Sequence, residues 1–238
     1  NNAVIEIDQK KRFSSQELTV DLDKHILISE EPVSAKIVAD SENVLLSSDP
    51  IYINSQKFRM EKEKKTIQFR EKVNLIQNDL SIRCHSLNLT ENGMLVDSQP
   101  KGLAVIGFTN EKKMVVLRGQ KIDVFADKKM IVIDGKASIG DGDNRISGKK
   151  LQIYFGDNDK IDRIAGAGDI RFKRKDIQIE SAKVNWDYLK EIVFFEELKQ
   201  VKKKATGSIT GKRLKLDLKT NTMTGISNSD ERTETIME

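Results

Sequence analysis

The sequence predicts an all-β protein assembled from repeated, sharply bent strands. Three observations carry that reading. An eight-residue pattern (apolar, any, small, any, any, apolar, any, apolar) recurs seven times, beginning at Phe13, Ile53, Ile82, Leu117, Ile146, Ile179 and Ile209. The copies read FSSQELTV, INSQKFRM, IRCHSLNL, LRGQKIDV, ISGKKLQI, IESAKVNW and ITGKRLKL, with successive starts 40, 29, 35, 29, 33 and 30 residues apart. A period near 30 marks a repetitive architecture. Turn chemistry separates the copies, and the spacing inside each copy is odd.

That odd spacing is a geometric statement. Side chains alternate faces along a strand, so positions 1 and 3 share a face, as do 6 and 8. Positions 1 and 6 fall on opposite faces of a regular strand. Both reach one core only if the strand switches parity between positions 3 and 6, through an extra residue or a corner. The third position is Ser15, Ser55, Cys84, Gly119, Gly148, Ser181 or Gly211, always small, as a tight bend with close backbone approach requires.

In chain order, Val4-Ile5-Glu6-Ile7 opens as a short alternating strand. A new apolar start follows each octet after a short gap: Ile26, Ile67, Leu95, Ile131, Ile161, Ile192 and Met223. The gaps hold Thr90-Glu91-Asn92-Gly93, Ala126-Asp127-Lys128-Lys129, Gly156-Asp157-Asn158-Asp159 and Thr220-Asn221-Thr222. Asn92-Gly93 is the strongest hairpin signal among them. A second rhythm runs from Ile67 and Phe69 to Val73 and Leu75, from Ile131 and Ile133 to Ala137 and Ile139, from Ile164 to Ile170 and Phe172, and from Ile192 and Phe194 to Leu198. Polar or glycine corners divide these runs at Arg70-Glu71-Lys72, Asp134-Gly135-Lys136, Gly166-Ala167-Gly168-Asp169 and Phe195-Glu196-Glu197. Each repeat is therefore two bent strands, about 14 to 16 in all, in about seven repeats. The stretch 187–204 has helix-forming residues, but its apolar positions surround a helix rather than striping it, and the repeat register favours a strand. The longest spacing, around Glu31-Pro32 and Ser47–Pro50, leaves room for an extra hairpin or loop. Residues 1–225 read as one domain without a linker, and 226–238 as a polar, weakly ordered tail.

Charged residues make up 33% of the chain and are interspersed, with a net charge of +4, which argues against a nucleic-acid specialist. No run approaches the ~18 apolar residues of a membrane-spanning helix. Asn1 begins almost directly in β-like sequence, so a signal peptide or N-terminal anchor is expected to precede it. Cys84, the only cysteine, sits at a bend position without a partner motif. His25 and His85 are isolated, and Gly140–Asn144 lacks the ligand order and closing glutamate of a calcium loop, so it reads as a turn. No nucleophile elbow or phosphate loop occurs, and no metal or cofactor is expected. The basic residues Arg171, Lys173, Arg174, Lys175, Lys199, Lys202, Lys203, Lys204, Lys212, Arg213 and Lys215 read first as solvated strand faces, alternatively as contacts to phosphates or an anionic surface.

The octets and their corners resemble the OstA-like family of periplasmic lipopolysaccharide-transport proteins, of the LptA and LptC type. The resemblance is densest over Arg145–Gly225, in ISGKKLQIYF, IDRIAGAGDIRF, QIESAKVNWDYLKEIVFF and ATGSITGKRLKLDLKTNTMTG, and extends over about residues 4–225. Its specificity comes from repetition rather than from any one residue. It implies an elongated β-jelly roll of two facing, V-shaped antiparallel sheets in the periplasm, serving outer-membrane biogenesis. The apolar interior would accept the acyl chains of lipopolysaccharide or a related glycolipid. Edge strands would join other jelly-roll components, including copies of the chain head to tail. By matching positions, the lipid-facing candidates are Ile67, Phe69, Val73, Leu75, Ile82, Leu87, Leu89, Ile131, Ile133, Ile139, Ile146, Leu151, Ile153, Ile170, Phe172, Ile177, Ile179, Val184 and Trp186. Two other readings compete: a structural β-solenoid or interaction module with a dry interior, and a carbohydrate-acting enzyme, for which the sequence offers no obvious pair of convergent carboxylates.

Overall fold

The computed structural model describes residues 2–7, 9–38, 49–98, 102–203, 207–209, 212–226 and 234–236. Every regular element among the described residues is a β-strand, so the all-β expectation is borne out. The chain divides into two compact units, Asn1–Thr109 with Val116–Met130, and Asn110–Val115 with Ile131–Glu238.

The first stretch of chain forms β1 (Ala3–Ile7), β2 (Lys11–Ser15), β3 (Thr19–Asp21), β4 (Ile26–Ser29), β5 (Val33–Val38), β6 (Pro50–Ser55) and β7 (Lys57–Glu61). It continues with β8 (Thr66–Gln77), β9 (Leu80–Thr90), β10 (Gly93–Asp97), β11 (Ala104–Asn110), β12 (Lys113–Gly119) and β13 (Lys121–Phe125). Then follow β14 (Met130–Asp141), β15 (Asn144–Phe155), β16 (Ile161–Arg174), β17 (Ile177–Asp187) and β18 (Ile192–Lys203). The last strands are β19 (Gly207–Ile209), β20 (Arg213–Asp217), β21 (Thr222–Ile226) and β22 (Glu234–Ile236). Among the described residues the short segments β2/β3, β4/β5, β6/β7, β10/β11 and β12/β13 follow one another as paired arms, while β8, β9 and β14 to β18 run as single long strands.

In the first unit the pairings separate into two antiparallel half-sheets. One runs β1–β2–β5–β6, then the second arm of β8, the first arm of β9, and β11. The other runs β3–β4–β7, then the first arm of β8, the second arm of β9, β10 and β13. Strands β8 and β9 pass through both. The half-sheets face each other: the Phe13 ring, from one, lies 4.5 Å from Phe58, from the other. The second unit repeats the plan. The N-terminal arms of β15 and β17 pair with the C-terminal arms of β16 and β18, while their remaining arms form a second half-sheet extended by β20, β21 and β22.

The bend comes from one extra residue. Between the β15–β16 pairs Ser147↔Arg171 and Lys150↔Ala167, β16 advances one residue more than β15, and the β8–β9 ladder shifts likewise between Arg70 and Val73. The backbone at these bulges is left-handed: Glu71 and Lys72 have φ of 62° and 53°, Gly135 and Lys136 68° and 53°, Gly168 and Asp169 79° and 52°, and Glu197 54°. These are the corners read from the sequence. The parity switch follows: Ile146 and Leu151, five positions apart, are both fully buried, as are Ile82 and Leu87. The small third position packs against the neighbouring bulge, since a Cβ on Gly148 would stand 2.7 Å from Ile170 Cδ1 and 3.2 Å from the Gly168 carbonyl oxygen. Where that position is serine, the hydroxyl joins the bend: Ser55 Oγ donates to the Lys57 carbonyl and Ser181 Oγ to the Lys183 carbonyl, each at 2.9 Å.

Of the stretch 187–204, Asp187 ends β17, residues 188–191 form a turn and Ile192–Lys203 form β18, as the repeat register requires; residue 204 lies outside the described residues. Its inward residues differ from the expected ones. Val193 and Phe195 are fully buried, whereas Phe194 is 37% exposed and Ile192 half-buried. The ladder decides this, because Val193 and Phe195 stand opposite inward Trp186 and Val184, and Phe194 opposite outward Asn185. The extra hairpin or loop anticipated between the first two octets falls on residues 39–48, outside the described residues; the strands flanking it, β5 and β6, pair as the repeat plan requires. Most of the tail expected over 226–238 lies outside them too.

The β9–β10 hairpin supplies a test. Gly93 has φ of 147°, and a Cβ there would stand 1.9 Å from the Val124 carbonyl oxygen. A backbone atom cannot swing aside, so Gly93→Ala is expected to destabilise by ~3 kcal/mol or more, measured as a lowered midpoint in urea unfolding followed by β-sheet circular dichroism.

Candidate functional site

The candidate site is the apolar interior between the half-sheets, taken unit by unit. In the first unit Ile67, Phe69, Val73, Leu75, Ile82 and Leu87 are all buried, and Leu89 is half-buried. Their inward direction follows from the β8–β9 register, in which Ile67 opposes Leu89, Phe69 opposes Leu87, and Leu75 opposes Ile82. Phe58 stands between Phe13 and Phe69, with centroids 4.5 Å and 5.4 Å away. That chain of rings spans the gap between the half-sheets through dispersion and quadrupole contacts alone.

In the second unit Ile131, Ile133, Ile139, Ile146, Leu151, Ile153, Ile170, Phe172, Ile177, Ile179, Val184 and Trp186 are likewise buried. Phe172 meets Trp186 and Phe195 edge-on at 6.2 Å and 5.6 Å. The lipid-facing candidates left out Phe195, Val193 and Leu214, equally buried: the octet from Ile209 places Leu214 inward, whereas the facing of β18 was not readable from apolar spacing alone. Leu151, Ile170 and Val184 close around Gly166, whose absent side chain makes room for them: a Cβ would lie 2.5 Å from Leu151 Cδ2. In both units these side chains are buried, and in the second a cavity of about 520 Å³ is lined by Gly166, Val184, Phe195 and Leu214 together with Arg163, Lys183 and Arg213.

Few polar groups enter these interiors. Tyr188, ring-packed on Trp186 at 5.1 Å, donates its hydroxyl to Asp141 Oδ2 at 2.6 Å. Burial first, and then that carboxylate, raise the pKa of the phenol. Among the described residues four buried side-chain polar atoms lack a protein partner: Asn144 Oδ1, Arg174 Nε and Nη1, and Trp186 Nε1. Asn144 and Arg174 are directly opposed in the β15–β16 ladder, at one end of this interior. A buried unpaired donor on a charged group is costly, and an anionic acceptor would relieve it.

The residues considered for other chemistry are dispersed. Cys84 lies in its bend with its thiol pushed up to about 12, chiefly by burial and then by the Asp97 charge, which removes the thiolate a nucleophile needs. His25 Nδ1 is 3.6 Å from Glu63 on the surface, and no cluster of metal-binding side chains occurs among the described residues. Residues 141–144 form the β14–β15 turn, with Gly142 at φ 53°.

Comparison with known proteins follows this geometry. Residues 52–160 match the family model described as LptA/(LptD N-terminal domain) LPS transport protein. The expected resemblance to the OstA-like lipopolysaccharide-transport family is borne out. The crystal structure of LptH, the LptA-homologous periplasmic component of the conserved lipopolysaccharide transport device from Pseudomonas aeruginosa, is 14% identical to this chain. That match covers 44% of this chain and 76% of LptH, with a TM-score of 0.41. No curated protein matches the chain.

The bend of β16 carries its own electrostatics. Lys199 and then Lys149 hydrogen-bond Asp169, at 2.7 Å and 3.0 Å, and hold its carboxyl down to about 2. A carboxylate with a depressed folded pKa stabilises the fold above its unfolded value near 4 and loses that contribution as pH falls toward 2. Asp169→Asn, which still tolerates the left-handed backbone, is expected to abolish this part of the acid dependence. Thermal melts of both forms between pH 5 and 2, on the order of the range set by those pKa values, should converge at the acid end.

Proposed function

We propose that the chain is a non-enzymatic periplasmic carrier or bridge for lipopolysaccharide, taking lipid A acyl chains between its facing half-sheets on the way from inner to outer membrane. One observation carries the reading: within each unit the half-sheets are hydrogen-bonded internally and face each other chiefly through apolar side chains, with few side-chain hydrogen bonds between them, such as Ser15 with Ser29 and Tyr188 with Asp141. Parting them costs side-chain contacts and no backbone hydrogen bonds. Acyl chains entering the gap restore apolar contact at ~0.8 kcal/mol per buried CH₂. The family match over residues 52–160 supports the same cargo. The interior candidates from Ile67 to Trp186 would then be the residues exchanged for lipid. The unpaired guanidinium edge of Arg174 would hold a lipid phosphate at the end of the second unit's interior.

Edge strands supply the means of assembly. Among the described residues β1 pairs only with β2, which leaves its other edge free to take a strand from a neighbouring jelly-roll component or from another copy of the chain.

The near-complete burial of the candidates favours a second reading, a structural or interaction module in which the apolar residues only hold the half-sheets together. The two part company on lipid. A photo-crosslinking side chain at Phe69, Ile133 or Phe172 is expected to capture lipopolysaccharide, and the emission of Trp186, the single tryptophan, to shift on titration of the unsubstituted protein. In that titration Arg174→Gln should weaken binding about tenfold or more, the loss of a hydrogen bond to a charged group. Absence of adducts at all three positions, together with a silent Trp186, would establish the structural module instead.

A further inference from the structure

One half-sheet of the second unit has an outer face unlike the rest. The ladders of β15, β16, β17 and β18 set Arg145 opposite Lys173, Lys173 opposite Gln178, and Gln178 opposite Lys202, in one row across four strands. The next row is Ser147, Arg171, Glu180 and Gln200. Arg145, Lys173 and Lys202 are exposed, and none has an acidic partner among the described residues. The ion pair on this face joins Arg171 to Glu180 at 3.4 Å. Asp143 and Asp176 lie in the hairpin turns at the strand ends, with Lys175 beside them.

Two physical features set this face apart from an ordinary solvated surface. Like charges directly opposed across strands destabilise a sheet, and Arg145 and Lys173 are so opposed without compensation. The face also carries no apolar or aromatic residue at any of its eight outward positions. A protein partner is held by a desolvated apolar or aromatic centre, which is missing here. Long cationic side chains on a flat face suit a diffuse layer of mobile anionic groups, where each gains without fixed geometry.

We propose that this face, centred on Arg145, Lys173 and Lys202, adsorbs the protein to an anionic phospholipid surface. The contact is electrostatic and non-inserting. It lies on the outside of the sheet, separate from the acyl-chain interior, and does not depend on that interior binding lipid.

The test is flotation of the full chain with vesicles. Binding is expected to phosphatidylethanolamine vesicles containing phosphatidylglycerol, to fall steeply with added salt as screening requires, and to be absent with zwitterionic vesicles alone. Each neutralised cation should weaken partitioning about fivefold, so the triple variant Arg145→Gln, Lys173→Gln, Lys202→Gln should lose on the order of a hundredfold. A control triple in the first unit, Lys36→Gln, Arg70→Gln, Arg83→Gln, makes the same change in net charge and should bind as wild type. Equal loss in both triples would mean that bulk charge alone is responsible and would overturn the assignment. So would equal binding to zwitterionic vesicles, or no binding to anionic ones. Removing opposed like charges should leave the melting temperature of the first triple unchanged or raised, which separates lost binding from lost folding.

Discussion

A strand that must turn a corner without losing its ladder has one cheap device, an extra residue in a left-handed conformation facing a small residue on the next strand. The structure depends on this pairing. Left-handed backbone costs a non-glycine residue about 1–2 kcal/mol, and Glu71, Lys72, Lys136, Asp169 and Glu197 all adopt it. It persists where both flanking arms are fixed by their neighbours, so that the corner is over-determined. Opposite the bulge, glycine or serine lets the backbones close, and the serine hydroxyls at 55 and 181 take up the carbonyls the bend turns away.

From the corner follows the division of labour between the two kinds of contact. Along each half-sheet the strands are joined by backbone hydrogen bonds, which are directional and register-specific. Across each interior they are joined by rings and branched aliphatic chains, which are neither. The corner is the covalent link between those two systems.

The parity argument made the corners legible in the sequence, because the octet spacing admits no flat strand and its third position is always small. The hairpin at Asn92-Gly93 was legible from turn chemistry. Two things were not. Left-handed backbone at Glu71-Lys72 has no local sequence signal, since neither residue prefers it; the neighbouring arms impose it. The facing of β18 was misread at Phe194, because 192–195 is apolar at every position and carries no alternation, so only pairing with β17 fixes which residues turn inward. Arg174 could not be picked out from its basic neighbours, because Arg171, Lys173 and Lys175 are identical in kind and differ only in where the strand points them.

The burial of the interior side chains sets a definite thermodynamic constraint on the proposed carrier function. Had the interior stayed open, side chains such as Phe69, Phe172 and Trp186 would meet water, each at a cost of about 1.5–3 kcal/mol. Closing removes that cost and charges it to cargo entry instead. Acyl chains must displace protein–protein contacts of nearly equal quality, and the net gain per methylene then falls well below the full transfer value. Such a site binds long chains reversibly, because many small net gains are needed to outweigh the opening. Discrimination between cargoes then falls to polar groups at the ends of the gap. In the second unit the group so situated is Arg174, an unpaired guanidinium edge opposite Asn144 in the ladder, whose side-chain oxygen is also unpaired. An uncharged hydrocarbon would leave it unsatisfied and a phosphorylated lipid would not, so under the proposed function the orphaned pair would act as a specificity element.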